Sequence, residues 1–253
     1  MLRDYIEKKR VEKKILIMTH IVIGAPDLET SYQTVKAMVE AGVDIMELQI
    51  PFSEPVADGP VILAANQTAL DRKVTVGQCI DFAERVAKEF PVPFLFMSYY
   101  NIVFKYGVNK FAEMMSAKGL KGAIVPDLPH EEAAQYLAAM KKYHLDPIFL
   151  YAPTTSDSRM KEISSHASGF IYCVARKGVT GVDTSFSSDL DEYLQRAHTS
   201  TDLPLALGFG VQEKADVDFL KGKADIAIIG TQSLRVLAEK GVAGVKKFIA
   251  GMQ

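Results

Sequence analysis

Residues 44–60 read DIMELQIPFSEPVADGP: a short apolar run that breaks into a loop of prolines, acids and one glycine. A six-residue run carrying Ile45, Met46 and Leu48 and bounded by turn formers suits a strand covered on both faces, as in parallel sheets. The same unit recurs along the chain at a spacing of roughly thirty residues. Strands are predicted at 15–23, 44–49, 93–98, 122–125, 147–151, 170–174, 204–207 and 226–229.

Amphipathic stretches lie between these runs. The spacing predicts helices over 28–41, 75–90, 108–118, 130–143, 156–166, 190–198, 213–220 and 231–240. Val35, Met38 and Val39 share one face of the first, and a Pro26-Asp27 pair stands where that helix should start. Eight strands each followed by a helix fit a (β/α)8 barrel, although an open doubly wound sheet gives the same alternation. An additional helix at 2–9 is expected before the first strand, where it would plug the barrel floor. The chain has no linker or low-complexity tract, and residues 1–253 read as one barrel domain.

The totals agree with this. A chain of 253 residues that is 48% hydrophobic and 24% charged has the length of one barrel and enough apolar residues for its core. The net charge is −2 with scattered lysines and arginines, which gives no footprint for nucleic acid. Cys79 and Cys173 belong to no ligand-spaced cluster, so no metal site is expected, and two isolated thiols suit a reducing compartment. The run ILIMTHIVIGA at 15–25 is too short to span a bilayer and carries His20; a buried first strand accounts for it, and a cytoplasmic location is expected.

Catalytic groups in such a barrel belong at the C-terminal ends of strands and in the loops that follow. Glu47 lies within an apolar strand, where a carboxylate is costly without a partner or a task. If it points into the barrel mouth it suits proton transfer; a structural acid bonded to backbone or tyrosine is the other reading. Asp58, eleven residues on, precedes Gly59 and would by itself be turn chemistry; its interest comes from sharing a strand mouth with Glu47. The late loops VARKGVTG (174–181), LGFG (207–210) and IIGTQSL (228–234) bring glycines and a helix start together. Backbone N–H groups there suit a phosphate. Acid–base chemistry on a phosphorylated small molecule is as far as the residues alone lead.

At these residues the chain resembles the tryptophan synthase alpha subunit family. The likeness runs through ELQIPFSEPVADGP (47–60), SYYNIVFKYG (98–107), VPDLP (125–129), YAPTT (151–155), ARKGVTG (175–181), GFG (208–210) and IGTQ (229–232), in order and across essentially the whole chain. It implies the closed barrel and a retro-aldol cleavage of indole-3-glycerol phosphate to indole and glyceraldehyde 3-phosphate. By resemblance, Glu47 is the general acid/base, while Asp58 binds the indole N–H and stabilises charge on the ring. Tyr172 and Phe209 match site-lining positions, Gly181, Gly210, Gly230 and Thr231 match the phosphate site, and Thr180 lies in the loop that meets the aspartate. Asp127 matches a residue tied to communication with the partner.

The resemblance implies no cofactor in this chain. It implies an α2β2 assembly whose beta subunit carries pyridoxal phosphate and receives the indole. A regulatory binding subunit with weak catalysis and a stand-alone lyase are the alternatives. They are motivated by departures from the family: Gln49 for a small glycine, Glu54 for an aspartate, Val56 for a leucine, and His20 and Val22 in the first strand. His20 reads as a satisfied core or pocket histidine. Gln49, if inward, would crowd the site or bond Glu47, and Gln49→Gly is expected to leave activity unchanged or improved.

Overall fold

Alternation along each strand decides what the chain builds. In the computed structural model, which describes residues 2–175, 188–208 and 210–253, the strands are β1 (Leu16–Val22), β2 (Ile45–Gln49), β3 (Phe94–Met97), β4 (Gly122–Ile124), β5 (Asp146–Tyr151), β6 (Ile171–Val174), β7 (Leu205–Gly208) and β8 (Ile226–Ile229). All pair in parallel in sequence order, and β8 pairs with β1 through Leu16 and Ile226, so the sheet closes into a barrel. Every strand prediction overlaps an observed strand, with ends displaced by a residue or two. Closure removes both sheet edges and excludes the open sheet.

Two apolar layers result. One set of alternate residues, including Leu16, Met18, Ile45, Leu95, Ile124 and Ile226, packs inside the barrel. The other set, including Ile17, Ile21, Met46, Leu48 and Phe96, packs outward against the helices. Because side chains alternate with period two, Glu47 and Gln49 follow Ile45 inward, and His20 follows Met18.

The first helix, α1 (Leu2–Glu12), closes the floor as expected. Leu2 and Ile6 join the interior cluster, the Leu2 N–H donates to Asp146 Oδ2 at 3.0 Å, and the Tyr5 hydroxyl donates to the Asp44 carbonyl. Helix α2 (Leu28–Glu40) begins where Asp27 Oδ1 accepts from the Thr30 N–H at 2.8 Å.

Two helices go beyond the sequence reading. Pro60 opens α3 (Pro60–Asp71), since a proline costs nothing at a first-turn position whose N–H has no helical acceptor. Next come α4 (Val76–Glu89) and a second unanticipated helix, α5 (Tyr100–Tyr106), whose Tyr100 N–H is capped by Asp127 Oδ1 at 2.8 Å. Gly107 separates α5 from α6 (Val108–Ala117). The stretch predicted as one helix over 130–143 is a 3-10 turn, His130–Glu132, followed by α7 (Ala134–Lys142). The remaining helices are α8 (Asp157–His166), α9 (Ser188–Ser200), α10 (Lys214–Leu220) and α11 (Thr231–Ala250). Helix α11 continues ten residues past its predicted end, with a break in helical geometry at Gly241.

Plugging the floor should contribute measurably to stability. Ile6 is fully buried, so Ile6→Ala is expected to lower the unfolding free energy by about 2–5 kcal/mol in urea denaturation. A loss below about 0.5 kcal/mol would show that α1 does not seal the barrel.

Candidate active site

The C-terminal mouth of the barrel holds a cavity of about 330 Å³. Glu47, Asp58, Tyr172, Gly210, Gly230 and Thr231 all line it, so residues from four separate stretches of the chain converge there. Apolar walls come from Met97, Ile124, Leu150 and Ile228. Thr180, Gly181 and Phe209 lie outside the described residues.

Glu47 is 4% exposed; Oε1 lies 3.2 Å from His20 Nδ1, while Oε2 is without a partner among the described residues. The pairing follows from strand register, since His20 is the Cα partner of Glu47 across β1 and β2. Burial opposes charge on the imidazole, but the Glu47 carboxylate, its hydrogen bond and the nearby Asp58 together raise the His20 pKa above its ordinary value. His20 is therefore a pocket histidine, as expected, yet it is satisfied on one nitrogen only; Nε2 has no partner.

Asp58 enters from the loop after β2, with Gln49 Nε2 donating to its Oδ2 at 2.7 Å. Gln49 thus faces the interior but bonds Asp58, not Glu47. The loop is pinned by the Ala57 N–H donating to the Tyr99 hydroxyl at 3.1 Å, and Tyr99 stacks on Phe52. Asn66 on α3 adds a second anchor, accepting from the Phe52 N–H at 2.9 Å. Burial raises the Asp58 pKa above the usual aspartate value; hydrogen bonds from Gln49 and Tyr99 and the His20 charge pull against this. Tyr172 is held well above its ordinary range by burial and by both carboxylates, so it remains a neutral phenol.

The start of α11 lines the same cavity, with Gly230 next to His20. Thr231 and Gln232 line the cavity, and the first-turn N–H groups of a helix have no acceptors within it. Together with the partial positive charge of the helix start, they suit an anion. Gly210 has φ of +71°, a left-handed conformation that a residue with a Cβ adopts only under strain. Gly208 is required for a different reason: a Cβ there would lie 3.0 Å from the Tyr172 ring, inside the space the tyrosine needs. Arg235, one turn along α11, brings a cation to the cavity rim.

Sequence reasoning missed Gln49 as a partner of Asp58, and missed Tyr99, Asn66 and Arg235 altogether. The last had a signal in principle: it lies four residues after Thr231, the same face of the helix. Asp127 caps α5 on the same side of the barrel, a local role that fits its turn position. Among the described residues, no group of three or more His, Cys, Asp or Glu could hold a metal ion.

A closed parallel barrel whose mouth faces two carboxylates with a helix start is the framework of an acid–base enzyme acting on a small phosphorylated substrate. The chain belongs to the tryptophan synthase alpha chain family, whose sequence profile matches residues 6–250. It is similar to the tryptophan synthase alpha chain of Syntrophotalea carbinolica, with 62% identity over 253 residues covering 100% of both chains. The alpha chain of Desulforapulum autotrophicum is 56% identical over 252 residues, again covering 100% of each. Among solved structures, tryptophan synthase from M. tuberculosis in an aminoacrylate-bound form superposes with a TM-score of 0.91 at 30% identity, over 99% of this chain and 97% of that one. The chain is a lyase of tryptophan biosynthesis that cleaves indole-3-glycerol phosphate.

Burial of Asp58 has a consequence for stability. A carboxyl whose folded pKa is raised binds more protons folded than unfolded between its ordinary and raised values, so stability falls as pH rises through that window. Asp58→Asn removes the charge while its amide oxygen can still accept from Gln49. The variant should match the parent in urea denaturation near pH 3.5 and exceed it at pH 7. A variant less stable than the parent at pH 7 would contradict this reading of the site.

Proposed function

We propose that the chain cleaves its substrate with Glu47 as general acid/base and Asp58 as the indole-binding carboxylate, and passes the indole to a beta subunit. The observation that carries this is a single cavity lined by buried Glu47, half-buried Asp58, apolar side chains and the start of α11. The apolar wall suits the indole ring and the α11 N-terminus suits the phosphate. Phosphate would be held by Gly210, Gly230 and Thr231, with Thr231 able to donate its hydroxyl; Gly181, Thr180 and Phe209 would complete the substrate contacts.

In this scheme the ring is protonated at C3 and the hydroxyl on the adjoining glycerol carbon gives up its proton. The bond between that carbon and C3 then breaks, its electron pair returning to the ring as the oxygen becomes an aldehyde carbonyl. Protons balance, because one is delivered and one withdrawn. Glu47 suits both transfers, its carboxylate taking the hydroxyl proton and handing it to C3, since it is buried, inward and without a partner on Oε2 among the described residues. Asp58 would accept the indole N–H and oppose the positive charge that develops on the ring. Tyr172, a neutral phenol, lines the same cavity.

The alpha chain would contribute no cofactor to this reaction; pyridoxal phosphate belongs to the beta partner in an α2β2 assembly. Residues 1–253 would act as one domain in the cytoplasm. Among the described residues no helix is long and apolar enough to cross a membrane.

Glu47→Gln and Asp58→Asn should each lower kcat for indole release by at least about 100-fold with the far-ultraviolet circular dichroism unchanged. Near-parental turnover in both would remove the assignment. Added beta subunit should stimulate cleavage by the parent chain several-fold or more; equal rates with and without it would point to a stand-alone lyase.

A further inference from the structure

Two acids in one apolar pocket repel, and the usual outcome is that one of them takes up a proton. Here the atoms between them form a series. Glu47 Oε1 meets His20 Nδ1 at 3.2 Å, and Asp58 Oδ2 meets Gln49 Nε2 at 2.7 Å. Gln49 and His20 are both buried, with relative exposures of 0% and 3%, and they sit on neighbouring strands. On β2 the inward position 47 is level with His20, and position 49, level with Val22, is the next inward position along the strand.

Besides Glu47 Oε2, two polar atoms of these side chains are left over, His20 Nε2 and Gln49 Oε1, both buried and without a partner among the described residues. They are complementary. An ionised Asp58 accepts only, so it turns the Gln49 amide with its NH₂ outward to the carboxylate and its oxygen back towards the barrel axis. That oxygen can accept from the imidazole but cannot donate to it. Glu47 on the other side likewise accepts. An imidazole with an acceptor at each nitrogen is best satisfied when both carry protons, as in the imidazolium.

We infer that His20 and Gln49 form a buried bridge, Glu47–His20–Gln49–Asp58, in which His20 is a positioning residue that keeps both carboxylates ionised together. The cation leaves the four side chains with one net negative charge in place of two. Gln49 fixes the imidazole from the far side and fixes Asp58 towards the cavity. Among the described residues, Glu47 on β2 and Asp58 on the following loop are the charged groups that act on His20, and Tyr172 on β6 and Arg235 on α11 line the same cavity. Gln49 thereby acts as a strut, and its removal is expected to cost activity where the sequence reading expected no loss.

The role of the bridge rests on Glu47 being the acid/base, but its existence can be read without turnover. In ¹⁵N-histidine-labelled protein, with the His20 resonances assigned by their loss in His20→Phe, both ring nitrogens should remain protonated to at least one pH unit above an ordinary histidine. That titration should move to lower pH in both Glu47→Gln and Gln49→Met. In steady-state cleavage, His20→Phe should lower kcat about tenfold or more with KM changed by less than about threefold, and should move the acid limb of the kcat/KM profile to higher pH. Gln49→Met should show the same direction to a smaller extent, and His20→Lys should recover part of the loss by restoring a cation. A His20 that titrates like an exposed histidine, or a Gln49→Met that leaves its titration unmoved, overturns the bridge. If the bridge titrates as stated while Glu47→Gln retains turnover, the failure lies with the catalytic assignment and not with the bridge.

Discussion

A closed barrel must send alternate side chains of every strand inward, and on β2 this places Ile45, Glu47 and Gln49 on the interior face. The lowest of the three is absorbed by the apolar core. The other two bring polar atoms into a space with no bulk water to solvate them, and much of the mouth can be understood as the means of satisfying them. His20 meets Glu47 because β1 and β2 are in register at that level. Asp58 meets Gln49 because the loop after β2 turns back over the cavity, pinned by Tyr99 and Asn66. Unpaired, each buried polar group would cost on the order of 1–3 kcal/mol, and a buried charge more.

The same constraint explains how the site divides. Large apolar side chains fill the lower barrel and α1 seals it, while a cavity opens at the C-terminal mouth around β2, β6 and β8. Glycines replace side chains where the cavity needs room: Gly208 leaves space for the Tyr172 ring, and Gly210 takes a backbone shape other residues resist. The cavity combines two carboxylates, apolar side chains and a helix start, and a substrate with an aromatic head and an anionic tail matches that set of groups.

Much of this was legible in the sequence, for identifiable reasons. Strands buried on both faces are continuous apolar runs, so all eight could be found, and the helix at 2–9 was recognisable ahead of the first. Helices α3 and α5 escaped because Gly59-Pro60 and Tyr99-Tyr100-Asn101 carry turn and strand formers at their starts; each is stabilised by the site loops it supports, which a local pattern does not register. Glu47 stood out because an acid in an apolar strand is expensive, and Gly210, Gly230 and Thr231 because glycines at strand ends suit anions. What could not be read was pairing. That His20 faces Glu47 depends on strand register, and that Gln49 holds Asp58 depends on the path of a loop; neither is encoded in spacing along one segment. Gln49, which by sequence alone suggested crowding, proves to be bonded to one of the two carboxylates.

The most direct measurement is a crystal structure with an unreactive indole-alkyl phosphate that lacks the glycerol hydroxyls. The ring nitrogen is expected within hydrogen-bond distance of Asp58, with ring carbon C3 and the first chain carbon beside Glu47, and the phosphate against Gly210, Gly230 and Thr231. A ligand bound with its phosphate away from the α11 N-terminus, or with its ring out of reach of both carboxylates, would contradict the account.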